Sequence, residues 1–305
     1  MTKRIAFIGL GNMGGYMAAN LAAAGYQVSG YDLATEAAEK ARRNGINTTT
    51  TAEEAASHAN IVFTMLPSGQ HLLEAYETLL RAAPANTLFV DCSTVDVTQA
   101  RQARDLALNA GHRAMDAPVS GGTVGAEAAT LTFMAGGEPE DFTHIRPLLE
   151  TMGRTIIHCG DPGAGQAAKI CNNLILGITM IAVSEAFVLG EKLGLDHQAL
   201  YDVASQSSGA CWALTNNCPV PGPVPTSPAN RNYQPGFMTS LMSKDLSLAL
   251  NAINDTGVAA EIGPLAAKIY RQLSHGPRAH DDFSTVINTI RDQTNTAHTA
   301  DKATL

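Results

Sequence analysis

The chain has 305 residues, of which 45% are hydrophobic and 16% charged, with a net charge of −8. That length suggests one large or two modest domains with a packed core, and an acidic chain without a basic run argues against nucleic acid as the main partner. The five cysteines (Cys92, Cys159, Cys171, Cys211, Cys218) form no C-x-x-C pair. They read as reduced thiols of a cytoplasmic protein rather than a disulfide framework.

From Met1 the chain leads straight into a strand, and we expect no signal peptide. Arg4-Ile-Ala-Phe-Ile is an apolar strand run. It passes into Gly9-Leu10-Gly11-Asn12-Met13-Gly14, a G-x-G-x-x-G turn, and then into an apolar-periodic helix. Such a turn sets bare backbone N–H groups and a helix N-terminus against a pyrophosphate. A second strand, 27–31, ends in Asp32, 18 residues beyond Gly14, where a ribose-binding carboxylate belongs. Leu33-Ala34-Thr35 follow without Arg or Lys, so the expected cofactor is NAD rather than NADP.

Strands near 4–9, 27–31, 46–48, 60–66, 87–91 and 113–116 alternate with helices near 13–24, 34–44, 69–82 and 96–110. Alternation of this kind predicts a parallel, doubly wound α/β sheet. A further strand pair, 130–135 and 155–159, brackets a helix near 139–152 and extends the sheet. Beyond Gly165 the pattern becomes all-helical. One long helix over 165–194 is followed by helices near 197–206, 239–256, 260–274 and 283–291. The boundary falls at Asp161-Pro162-Gly163, giving domains of 1–162 and 163–293. The polar residues 294–305 read as a disordered tail. The apolar stretch Ile170 to Leu189 carries Asn172, Asn173, Ser184 and Glu185, which fits a buried central helix better than a membrane span.

Several segments carry candidate chemistry. In a doubly wound sheet, ligands sit beyond the carboxyl ends of the strands. Leu66-Pro67 is there either to shape a loop over the cofactor or simply to end a strand. Ser93-Thr94 faces the nicotinamide side, caps a helix, or both. Ser120-Gly121-Gly122 offers an anion nest with a hydroxyl, suited to a carboxylate, or is a plain turn. Lys169 and Asn173, at i and i+4, share one face of the long helix with Gln166. Burial would lower the pKa of such a lysine towards the working range of an acid/base, whereas a snorkelling lysine would have no such role. The Pro/Gly-rich segment Ser207–Gly236 holds the only tryptophan, Trp212. It reads as a lid in which Trp212 packs against a substrate methyl and Asn217 offers polar contacts, or as a loop that Trp212 anchors. No Cys/His cluster has metal-ligand spacing, and no G-x-S-x-G elbow is present.

Taken together, Gly9-Leu-Gly-x-Met-Gly14, Asp116-Ala-Pro-Val-Ser-Gly-Gly122, Gly163-x-Gly-Gln-x-x-Lys-x-x-Asn-Asn173 and Lys244-Asp245-Leu246 resemble the β-hydroxyacid dehydrogenase family. The resemblance spans about residues 3 to 290, and Cys211-Trp212, Pro219-Val-Pro-Gly222 and Asp282-Phe-Ser284 narrow it to a hydroxyisobutyrate-like branch. It implies a Rossmann domain, an all-helical domain and a long helix that links them and takes part in a homodimer or homotetramer. It also implies Lys169 as acid/base, Asn173 and Ser120–Gly122 as substrate holders, and Lys244 at the nicotinamide end of NAD. The implied reaction is oxidation of a small 3-hydroxy acid, foremost 3-hydroxyisobutyrate. L-serine and tartronate semialdehyde are alternative substrates, and a non-catalytic NAD-sensing module is an alternative of another class. Two departures stand out. Asn217-Cys218 occupies a position where relatives often have Tyr-Asn, and Ala129 one where they usually have Gly.

Overall fold

The computed structural model describes residues 3–303. The chain forms two compact units, the first ending at Lys169 and the second beginning at Ile170. The division lies within the long helix, a few residues beyond the Asp161-Pro162-Gly163 break.

The first unit is built on a nine-stranded sheet. Its parallel part is β1 (Arg4–Ile8), β2 (Gln27–Tyr31), β3 (Asn47–Thr48), β4 (Ile61–Thr64), β5 (Leu88–Asp91) and β6 (Arg113–Asp116), in the order β3-β2-β1-β4-β5-β6. This order reverses direction at β1, and the carboxyl ends beside that reversal are where such sheets bind ligands. The central strands are apolar at most positions because both faces are covered. Ile5, Phe7, Ile61, Phe63, Leu88 and Val90 enter one core layer, while Ala6, Ile8, Val62 and Phe89 enter the other.

The remaining strands are β7 (Val119–Ser120), β8 (Leu131–Gly136) and β9 (Gly153–Gly160). As expected, the 130–135 and 155–159 runs extend the sheet. β8 lies antiparallel to β6 and β7, and parallel to β9. In the first unit three short elements escape the sequence reading, namely β7 and the helices Ala52–Ala56 and Gly122–Glu127. Each is too brief for its own periodicity and depends on neighbours. β7 pairs with β8, and Thr51 caps the helix Ala52–Ala56 through the Glu54 amide.

Ala129 follows the helix Gly122–Glu127 with φ +55°, in the left-handed region. Left-handed backbone costs a residue with a Cβ about 1–2 kcal/mol, and the extra unfolded-state freedom of glycine returns about 0.5–1 of that. Ala129→Gly is therefore expected to stabilise the protein by about 0.5–1 kcal/mol, or about 1–3 °C in Tm, checked by calorimetry. An unchanged or lower Tm would contradict this account of the departure.

The long helix spans Ala164–Lys192 and crosses from the first unit into the second; Gly194, with φ +78°, lies just past its end. Among the described residues it is the one helix long and apolar enough to cross a membrane, with 44% of its most apolar stretch buried. It is thus less enclosed than a central core helix, and Ile175 and Leu189 stand exposed. Further helices follow at His197–Ser205, Thr239–Thr256, Ile262–Ser274 and Val286–Ala303. Met180, Phe187, Met242, Leu246, Tyr270, Phe283 and Ile287 form the core. The expected tail at 294–305 is corrected over most of its length, because helix continues through Ala303. Buried Val286 and Ile287 fix its first turn, after which propagation is cheap. Residues 304–305 lie outside the described residues.

Candidate active site

At the end of β1 the three glycines have distinct physical reasons. Gly9 has φ +95°, and a Cβ there would come 2.2 Å from the Met65 carbonyl oxygen. A Cβ on Gly14 would meet the Gly9 carbonyl oxygen at 1.9 Å, so helix and strand pack backbone to backbone. Gly11 instead faces open space. The helix Gly14–Ala23 has neither a side-chain cap nor an acid in its first turn. Its N-terminal N–H groups thus suit an anion. Asp32 Oδ2 accepts from the Leu10 amide at 2.7 Å and Oδ1 from the Ala34 amide at 2.8 Å. A carboxylate offers about four acceptor sites, so the same group can also accept ribose hydroxyls. Exposed Leu33 follows it, with no cation nearby in sequence. Leu10, Asn12 and Met13 lie in this turn with the glycines. A dinucleotide fits these residues.

Beyond β4 and β5, Leu66-Pro67 and Ser93-Thr94 form adjacent loops joined by side chains. Ser93 Oγ accepts from the Leu66 amide at 2.8 Å and donates to Asp91 Oδ1 at 2.6 Å. Thr64 Oγ1 donates to the same oxygen at 2.7 Å. Asp91 is buried, and burial pushes its pKa up to about 6 against these hydrogen bonds. Neither Ser93 nor Thr94 caps the next helix; Asp96 does, through the Thr98 amide. Ser68, rather than Pro67, caps the helix after β4.

Beyond β6, Asp116 holds the start of the long helix. Its Oδ1 accepts from the Gly163 amide at 2.7 Å and its Oδ2 from the Gln166 amide at 2.8 Å. Burial nevertheless raises its pKa. Four residues on, Ser120 ends β7, and Gly121 and Gly122 take φ of +136° and +62°. Only glycine adopts this pair freely. Lys169, in the second turn of the long helix, is 7% exposed.

In the second unit, Asn173 is 2% exposed and donates through Nδ2 to Asp245 Oδ2. Lys244 Nζ lies 4.0 Å from the other oxygen of Asp245. Asp245 was missed as a site residue, although an aspartate on the apolar face of the helix Thr239–Thr256 is a readable signal. Trp212 is 54% exposed, while Ala213, Leu214, Cys218 and Val220 of the same loop are buried. Asn217 is buried and donates to Asp282 Oδ1 at 3.2 Å, which ties it to the structure of its own loop. Ser284 also bonds Asp282 Oδ1, through its amide and its hydroxyl, while the Gly236 and Phe237 amides bond Oδ2.

Comparison with known proteins agrees with this geometry. Residues 4–160 match the family model of the NAD binding domain of 6-phosphogluconate dehydrogenase. Residues 163–290 match that described as NAD-binding of NADP-dependent 3-hydroxyisobutyrate dehydrogenase. A probable 3-hydroxyisobutyrate dehydrogenase of Mycobacterium tuberculosis is 52% identical over 94% of this chain and 97% of its own. An NAD-dependent L-serine dehydrogenase of Pseudomonas aeruginosa is 44% identical over 93% and 96%. The solved structure of Mycobacterium tuberculosis 3-hydroxyisobutyrate dehydrogenase with L-serine superposes with a TM-score of 0.93, at 52% identity, over 95% of this chain and all of that one. The chain belongs to the β-hydroxyacid dehydrogenase family and is an NAD-dependent oxidoreductase.

Proposed function

We propose that the protein oxidises 3-hydroxyisobutyrate to methylmalonate semialdehyde, a step of valine catabolism, with Lys169 as acid/base. The observation that carries this is the burial of Lys169 and Asn173 one turn apart on a single continuous helix. The Ser120–Gly122 turn receives the substrate carboxylate, with the Ser120 hydroxyl and the backbone N–H groups of the two glycines as donors. Asp245 fixes the Asn173 amide, whose second Nδ2 proton is directed to the substrate hydroxyl oxygen. Neutral Lys169 accepts the hydroxyl proton as the carbonyl forms. When bound, the dinucleotide supplies the hydride acceptor, and the chain supplies orientation and the base. Lys244, Leu66, Pro67 and Thr94 line the cofactor in this reading.

L-serine is a second candidate, favoured because the relative at 52% identity was solved with it. It shares the carboxylate and the 3-hydroxyl and differs at the α-substituent. Initial rates at 340 nm with a panel of 3-hydroxy acids test the proposal. Absence of turnover with every member would remove it and leave an NAD-binding module. The kcat/KM ratio between hydroxyisobutyrate and serine ranks the two substrates.

Asp32 is assigned to the adenosine ribose. Losing one charge-assisted hydrogen bond of about 1.5–3 kcal/mol should lower kcat/KM for NAD by about 10- to 100-fold in Asp32→Ala, with a relaxed preference over NADP. Equal use of both cofactors by the wild type would refute the assignment. Exposed Ile175, Leu189 and Leu193 on or just beyond the long helix support a homo-oligomer buried along that face. Five free thiols accord with a reducing, cytoplasmic setting.

A further inference from the structure

Gln166 is wholly buried, and each of its polar groups is used. Its Oε1 accepts from the Val95 amide at 3.1 Å, and its Nε2 donates to the Ser93 carbonyl at 2.7 Å. The side-chain amide therefore pairs with the backbone on both sides of Thr94, as a neighbouring strand would. Its own backbone amide donates to Asp116 Oδ2. Ser93 is tied in turn to Leu66 and Asp91. One residue thus joins the β5 loop, the loop after β4 and the end of β6 to the helical turn that carries Lys169 three positions later.

We propose that Gln166 is a positioning residue for hydride transfer, holding the Thr94 loop and the Lys169 turn in one register. The proposal rests on the reading of Lys169 as acid/base. The chemistry needs glutamine, because the loop presents one donor and one acceptor to the same planar group. Glutamate, when ionised, can only accept. Methionine fills similar volume and does neither. A shift of about 1 Å between base and reacting atoms costs about 100-fold in rate, so loss of this clasp should appear in turnover.

The test compares wild type, Gln166→Met and Gln166→Glu. In the cofactor-free protein, Val95 amide hydrogen exchange should be slow in the wild type and about 10-fold or more faster in Gln166→Met, as expected when a buried amide loses its acceptor. With NAD and hydroxy acid, Gln166→Met should lose about 10- to 100-fold in kcat. Gln166→Glu carries the sharper signature. Its carboxyl, when protonated, accepts from the Val95 amide and donates to the Ser93 carbonyl, restoring both bonds. The ratio of its kcat to that of wild type should therefore rise as pH falls. Asp91, Cys92, Asp116 and Lys169 are titratable groups close to this position and common to both proteins, so a pH dependence of the ratio reports the introduced carboxyl and its coupling to them.

Wild-type kcat in Gln166→Met overturns the proposal, as does a pH-independent ratio in Gln166→Glu. Should Gln166→Met fail to fold, the Gln166→Glu ratio decides alone. Failure of the Lys169 reading is seen separately, as undiminished turnover in Lys169→Ala with Gln166 intact.

Discussion

Lys169→Ala is expected to lower kcat by about 10²- to 10⁴-fold, the usual worth of a positioned general base, while NADH binding stays near normal. The split is the informative part. Gly9 to Gly14 and Asp32 precede the long helix by more than 100 residues and are held by their own hydrogen bonds, so removing the amine leaves them in place. Lys169→Arg should be nearly as impaired, because a guanidinium stays protonated and cannot accept the hydroxyl proton. Steady-state rates and NADH fluorescence titration check both variants. Turnover within about threefold of wild type in Lys169→Ala lies outside the general-base range and would end this mechanism.

Asp282→Ala is expected to cost about 2–4 kcal/mol of stability, the scale for leaving several buried donors without their shared acceptor. Asp282 is 1% exposed and accepts from the Gly236, Phe237 and Ser284 amides, the Ser284 hydroxyl and the Asn217 amide. Truncation strands these donors away from water. Asp282→Asn keeps one acceptor oxygen and should lose less. Urea unfolding followed by far-UV circular dichroism gives the global loss, and Trp212, the sole tryptophan, reports the loop itself. A loss below about 1 kcal/mol would mean that these bonds are worth no more than exposed ones.

Much of the fold was legible because its signals are local. Apolar strands, a glycine turn and a 3.6-residue period name the sheet and the long helices from sequence alone. Elements that owe their existence to partners were not legible, such as β7, formed by pairing with β8, and the five-residue helix Ala52–Ala56. The helix through 294–303 was hidden because its composition is polar while its nucleus lies at Val286 and Ile287. At the site, the residues that hold the ligand-facing ones sit within the same motifs, but a motif does not name the partners they hold. Asp116, Gln166 and Asp245 find these partners 47 or more residues away, and Asp91 adds Thr64, 27 residues away, to its local bond with Ser93; no spacing rule reaches that far. Asn217 shows the same limit, since its position suggested a ligand contact while its bond to Asp282, 65 residues on, was not readable.

Two buried carboxylates divide the anchoring. Asp116 fixes the start of the lysine helix and stands four residues before the Ser120–Gly122 turn, so a change in that stretch disturbs both together. Asp282 ties Asn217, in the middle of the 207–236 loop, to the loop's end at Gly236 and Phe237 through bonds that involve neither element. The protein is therefore modular in a way that matters for its evolution. Sequence change inside the loop can be sampled while the Asp116 frame stays fixed. A library aimed at new hydroxy acids therefore belongs at exposed loop positions such as Trp212, Asn216 and Pro221 rather than at the buried loop anchors or in 116–122.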